Sequence, residues 1–172
     1  MNLLVTCARN LESETENEIK KILNECGDQE AEIYQTDMRG ILSVNTKSET
    51  SEIIDWVKQK VNEEPWFIRY CLRIIPIQLE SDTDIKKIKQ NVEKLKNIIQ
   101  KNDSYRITIE KRNTNISSKE IITEVANLFP NKVSLDEPNW IILIEILGNK
   151  TGLSILRNHG IFSLEKSKRE LE

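Results

Sequence analysis

The sequence is short of the residues that most site chemistry needs. Its 172 residues include one histidine, His159, so a triad or metal site built on imidazole would have to converge on it. No cysteine or aspartate stands at an obvious companion spacing. The five glycines form neither Gly-x-Gly-x-x-Gly nor a Gly-rich Lys-Ser/Thr loop, so no dinucleotide fingerprint or phosphate cradle is visible. Cys7, Cys26 and Cys71 are odd in number and widely spaced, and each sits in an apolar pattern. They read as reduced core thiols rather than a disulfide framework or a metal knot. Apolar runs fall far short of the roughly 20 residues a bilayer span needs. Residues 1–8 carry no basic segment ahead of their apolar residues, so no secretory signal is read there and the cytoplasm is the expected compartment.

Basic charge is not in excess either: 25 Lys+Arg face 28 Asp+Glu, a formal net charge of -3. A generic polyanion binder is thereby excluded. The balance shifts only slightly along the chain, with 11 basic against 10 acidic residues from Lys101 onward and 14 against 18 before it. Any nucleic-acid contact must come from a local patch, and its affinity must fall steeply with salt.

What is present suffices for a core: 38% hydrophobic and 31% charged residues, in a chain long enough for one ordinary domain or two small ones. Leu3 to Ala8 is β-compatible. Ser13-x-x-Glu16 forms a capping box ahead of Ile19, Ile22, Leu23 and Cys26, which lie on one helical face that Gly27 closes. Residues 31–35 and 41–45 flank a Gly40-containing turn and read as a hairpin. Ile53, Ile54, Val57 and Val61 mark a second helix ended by Pro65, and Trp66 to Ile77 reads as a long strand that Pro76 must end or leave at an edge. The order strand, helix, strand, strand, helix, strand predicts a ferredoxin-like domain over residues 1–77.

Ser81 to Thr83 offers the next helix start, before the stripe Ile85, Ile88, Val92, Leu95, Ile98 and Ile99. The lysines on its other side read as a solvated face. Tyr105 to Arg112 alternates with period two and ends in the basic pair Lys111-Arg112. A second capping box, Ser117-x-x-Glu120, opens a helix running to Phe129. Lys132 to Asp136 reads as a short strand, Trp140 to Leu147 as a central strand covered on both faces, and Thr151 to Leu156 as a last strand followed by a charged tail. The predicted fold class is α+β, with residues 78–172 as an α/β second domain.

In this second half, the basic strand end, the Ser117 helix, Lys132-Val133-Ser134-Leu135-Asp136-Glu137-Pro138-Asn139, the apolar strand through Glu145 and Gly152-Leu153-Ser154-Ile155-Leu156 together resemble a THUMP domain. THUMP is the RNA-binding module of several tRNA-modifying proteins. Ser134 and Asn139 depart mildly from that family's Lys-Val-Asp-Leu-x-x-Pro-Asp segment. THUMP domains are typically preceded by a ferredoxin-like domain, as here. The resemblance implies contact with the acceptor-stem end of tRNA through phosphates, 2′-hydroxyls and shape.

Arg106, Lys111, Arg112, Lys132, Lys150 and Arg157 are the RNA-binding candidates, Lys111 and Arg112 foremost. Trp140, Tyr105 and Phe162 are the aromatics that could stack on bases, although Trp140 and Tyr105 read first as core. Neither a catalytic residue nor a cofactor or metal is expected, and the chain reads as non-catalytic. The resemblance points to a tRNA-binding adaptor that presents tRNA to a modification enzyme, first of all an RNA cytidine acetyltransferase forming N4-acetylcytidine. The loose likeness of Phe162 to Ser167 to that branch's tail adds to it. The alternatives are an RNA-binding subunit or fragment of a THUMP-type tRNA methyltransferase or 4-thiouridine synthetase, and a protein-interaction module without RNA binding.

Overall fold

The structure is a computed structural model and describes residues 1–172. The chain forms two compact units, one of residues 1–76 with 160–172 and one of residues 77–159. No helix is long and apolar enough to cross a membrane.

The first unit contains β1 (Leu3–Cys7), α1 (Glu12–Glu25), β2 (Glu32–Gln35), β3 (Ile41–Asn45), α2 (Thr50–Glu63) and β4 (Cys71–Pro76). The strands lie in the order β2-β3-β1-β4, and every neighbouring pair is antiparallel. Leu3, Val5, Leu42 and Val44 form one core with the helical stripes Ile19, Ile22, Leu23 and Ile53, Ile54, Val57, Val61. Gly40 closes the hairpin at φ +78, and a Cβ there would lie 2.6 Å from the Cys7 carbonyl oxygen. Only glycine fits this turn.

Two local expectations change. The Ser13 capping box is unused: α1 begins at Glu12 after Leu11, with no side-chain cap. Asn10 takes a left-handed φ of 72, which turns the chain into the helix early, and the Ser13 hydroxyl instead accepts from Gln35 Nε2 at 3.3 Å. The strand expected over Trp66 to Ile77 pairs only from Cys71 to Pro76. The Glu18 carboxylate accepts the N–H groups of Arg69, Tyr70 and Cys71, and it holds the preceding residues out of the ladder as a loop. Pro76 is the last strand residue, as its missing donor requires.

The second unit contains β5 (Leu79–Asp82), α3 (Ile85–Leu95), β6 (Tyr105–Arg112), α4 (Ser118–Ala126), β7 (Trp140–Leu147) and β8 (Lys150–Leu156). Its sheet runs β5-β8-β7-β6, with β6 and β7 parallel and the other pairs antiparallel. Ile142, Ile144 and Ile146 of β7 meet Ile88, Val92, Ile121 and Val125 of the helices in one core. The Ser117 cap is real, its hydroxyl accepting the Glu120 N–H at 3.2 Å.

Of Ser81 to Thr83, read as a helix start, Ser81 and Asp82 belong instead to the edge strand β5; the cap is Asp84, whose carboxylate accepts the Lys87 N–H at 3.0 Å. Helix α4 stops at Ala126, and Phe129 packs beyond it against Tyr105, with ring centroids 5.1 Å apart. Lys132 to Asp136 makes a single bridge, Val133 to Tyr105, in place of a strand. Two backbone hydrogen bonds hold the segment to Tyr105, its N–H donating to the Lys132 carbonyl at 3.1 Å and its carbonyl accepting the Ser134 N–H at 3.0 Å, and Arg106 Nη1 donates to the Leu135 carbonyl at 2.9 Å.

The chain then returns to the first unit. Here the boundary expected at 78–172 is corrected, because residues 160–172 group with residues 1–76. The physical reason is apolar. Phe162, in β9 (Phe162–Ser163), pairs with Ile74 of β4 and is fully buried, and Leu164 joins the same core. The supposed charged tail is α5 (Leu164–Leu171), capped by Ser163, whose hydroxyl accepts the Lys166 N–H at 3.4 Å. Phe162 is therefore withdrawn as a base-stacking residue.

Candidate nucleic-acid interface

Strand register decides which candidate cations meet. Tyr105 of β6 lies level with Trp140 of β7, and Arg112 lies level with Leu147. Across β7, Leu147 lies level with Lys150, which faces Asp82 of β5. Arg157 follows Leu156, the partner of Ile141, and so lies level with Trp140. Seven rises separate the two ends, about 23 Å at a typical strand rise. The six cations thus split into two groups. Arg106, Lys132 and Arg157 belong to the Trp140 end, and Lys111, Arg112 and Lys150 belong to the opposite end.

The opposite end is largely neutralised from within. Arg112 Nη1 lies 2.9 Å from Oε2 of Glu145, whose side chain is fully buried. Lys150 and Lys87 both pair with Asp82, at 2.9 and 2.7 Å. Lys111 Nζ donates to the Ile116 carbonyl at 3.0 Å. The hydrogen bond from Lys87, then that from Lys150, holds the Asp82 carboxyl down at about 2, against an ordinary 3.8. The group is depressed on folding, so its contribution is present above about pH 4 and is lost as pH falls towards 2. An NMR titration of the Asp82 carboxyl should show a midpoint near 2 in the native protein, and Lys87→Ala should move it upward.

At the Trp140 end the cations serve a different arrangement. The Arg157 guanidinium lies 3.9 Å from the centroid of the Trp140 ring, and its Nη1 donates to the Asn139 carbonyl at 3.2 Å. Trp140 Nε1 donates to Asp103 at 2.9 Å. That bond, followed by the Gln100 N–H, holds the Asp103 carboxyl below its usual range, and the Arg157 charge adds to the effect. Ser104 locks the turn before β7: its N–H and hydroxyl both donate to Asn139 Oδ1, at 2.7 and 3.0 Å.

The result is a hydrogen-bonded cationic and aromatic platform. Lys132 is exposed beside it, on a ribbon where Val133 and Leu135 are also exposed. A planar guanidinium over an indole can meet a phosphate with its remaining donors or extend the stack to a base.

Tyr105 is buried in the core and is excluded as a stacking surface. Arg106 lies at the same end, but alternation puts it on the face away from Tyr105. It braces the Leu135 carbonyl there. Sequence reading missed Asp103 and Ser104, and named Asn139 only as part of the THUMP-like segment; the three position Trp140. The available signal was the need of an indole N–H at a strand start for an acceptor. No group of three His, Cys, Asp or Glu side chains gathers to hold a metal ion.

Residues 82–156 match the family model described as the THUMP domain. This segment is a THUMP domain. It includes the ribbon and five of the six candidate cations, and ends one residue before Arg157.

Among curated proteins, an uncharacterized protein of Methanocaldococcus jannaschii is 26% identical over 102 residues, which cover 56% of this chain and 28% of the relative. Solved structures share the fold over nearly the whole chain. PH1313 from Pyrococcus horikoshii has a TM-score of 0.63 at 17% identity, covering 91% of this chain and 55% of its own. TrmN from Thermus thermophilus has 0.56 at 11%, covering 90% and 45%. A 4-thiouridine synthetase solved in complex with RNA and bound ATP has 0.52 at 9%, covering 91% and 41%. The chain thus spans under a third of the curated relative and about half of these structures.

Proposed function

We propose that this chain is a tRNA-binding adaptor that presents tRNA to a modification enzyme, in the first place an RNA cytidine acetyltransferase, and that it carries no catalytic site of its own. The observation that carries the reading is the THUMP domain at residues 82–156. The Arg157–Trp140 platform at one end of its sheet supports it, as the surface with the chemistry to grip an RNA end. The first unit reads as ferredoxin-like on its strand order β2-β3-β1-β4, in keeping with a domain that precedes THUMP. The RNA-facing cations in this reading are Arg157 and Lys132 first. Lys111 and Lys150 contribute less, because they are already engaged.

Fluorescence anisotropy with labelled tRNA tests the reading. Lys132→Ala with Arg157→Ala should weaken binding roughly tenfold or more and lower the salt slope by up to about two, with unfolding unchanged. Native protein that fails to bind tRNA at low salt would sink it. A pull-down with and without RNase then identifies the enzyme. A second reading has specific support: the chain covers only 45% of TrmN and 41% of the 4-thiouridine synthetase. In that reading the chain is the RNA-binding part of a methyltransferase or thiouridine synthetase. Recovery of such an enzyme in place of an acetyltransferase would select it.

A further inference from the structure

The first unit carries an aromatic cluster that the tRNA reading above does not use. Pro65 follows the end of α2, and residues 66–70 then form the loop held by Glu18, whose carboxylate takes the N–H groups of Arg69 at 2.8 Å and Cys71 at 2.7 Å. A loop fixed through its own backbone displays its side chains in one arrangement. Phe67 stands edge-on to Trp56, with centroids 5.7 Å apart. The ammonium groups of Lys21 and Lys60 lie 5.6 and 5.4 Å from the Phe67 centroid. Trp66 is 71% exposed, the most exposed large hydrophobic side chain in the protein. Lys21, Glu25, Lys60, Glu64 and Trp66 share an open cleft of about 420 Å³.

We propose that this cleft is a stacking site for one nucleotide of a single-stranded RNA segment, resting on the reading that the chain binds tRNA. The Trp66 indole offers a sequence-tolerant π-face to the base. Lys21, which is exposed, and Lys60, which is shared with Glu64 at 3.2 Å, meet the phosphate. Glu25 and Glu64 accept from exocyclic amino groups of the base. An apolar peptide would desolvate Lys21, Glu25 and the Lys60–Glu64 pair without offering them a polar partner, at a cost that a nucleotide avoids by matching both signs.

The test uses the full chain and labelled tRNA, with a short single-stranded RNA as a second probe. Trp66→Ala should weaken tRNA binding roughly tenfold, Trp66→Phe should retain most of it, and Lys21→Glu should weaken it in a salt-dependent way. Thermal unfolding of all three should match the native protein, because both side chains are exposed. Indole fluorescence quenched by the short RNA in the native protein should lose that component in Trp66→Phe. Native affinity and quenching in Trp66→Ala and Trp66→Phe would overturn the site. If tRNA binding then still falls in Lys132→Ala with Arg157→Ala, the tRNA reading survives without the cleft. If native protein binds no RNA, both fail. Loss of a protein partner with RNA affinity intact would make the cleft a protein-docking surface, and so also overturn the proposal.

Discussion

Arg112→Ala should unfold about 3 kcal/mol more easily than the native protein, while Lys111→Ala stays within roughly 0.5 kcal/mol of it. The two residues are neighbours in sequence and were the foremost RNA-binding candidates, yet they face different surroundings. Arg112 Nη1 sits 2.9 Å from a Glu145 side chain with no solvent exposure. Truncating the arginine leaves a carboxylate in the protein interior without its guanidinium, and desolvated charge is far costlier than a lost surface pair. Lys111 is exposed and gives up one hydrogen bond to a backbone carbonyl. Urea denaturation is the measurement: the Arg112→Ala midpoint should fall at constant m-value, and a native midpoint would show that the buried carboxylate does not depend on the arginine. The consequence reaches function. Weak RNA binding by a Lys111→Ala/Arg112→Ala protein would report instability as readily as a lost contact, so the binding role is better tested at Arg157 and Lys132.

The sequence revealed periodicity well and long-range pairing poorly. Each strand and helix of the βαββαβ half was visible because its apolar residues repeat every two or every three to four positions, and burial selects that repeat. The Ser117 cap was visible because both partners lie within four residues. The Ser13 cap had the same signature and failed, since an Asn10 turn and Gln35, distant in sequence, set the local geometry. The cations illustrate the limit best. Lys111, Arg112 and Lys150 look like Arg157 in the sequence. Their difference is register: three face acceptors supplied by Asp82, Glu145 and Ile116, and one stacks on an indole. Composition carries no register. Trp66 was read as part of a strand for a related reason, as the Glu18 carboxylate that keeps its loop out of the sheet lies some fifty residues earlier.

Phe162→Ala should destabilise the first unit by about 3 to 5 kcal/mol, the cost of removing a large ring from a closed core. The ring has no solvent exposure. It packs in the cluster that holds Leu3, Val5, Ile74 and the stripes of α1 and α2, although it arrives some ninety residues after β4. Leu171→Ala is the control: Leu171 lies near the end of the same returning segment but is 42% exposed, and its loss should cost under about 1 kcal/mol. Hydrogen exchange locates the effect. Amides of β1, β3 and β4 should lose protection in Phe162→Ala, while those of β7 and β8 in the THUMP domain keep it, because their core contains no residue of the returning segment. Equal loss in both sheets would show that the two units unfold as one. A cut at residue 77, which the sequence pattern suggests, would leave the first unit without its fifth strand and without Phe162. A second unit cut at residues 77–159 keeps every residue of its own core.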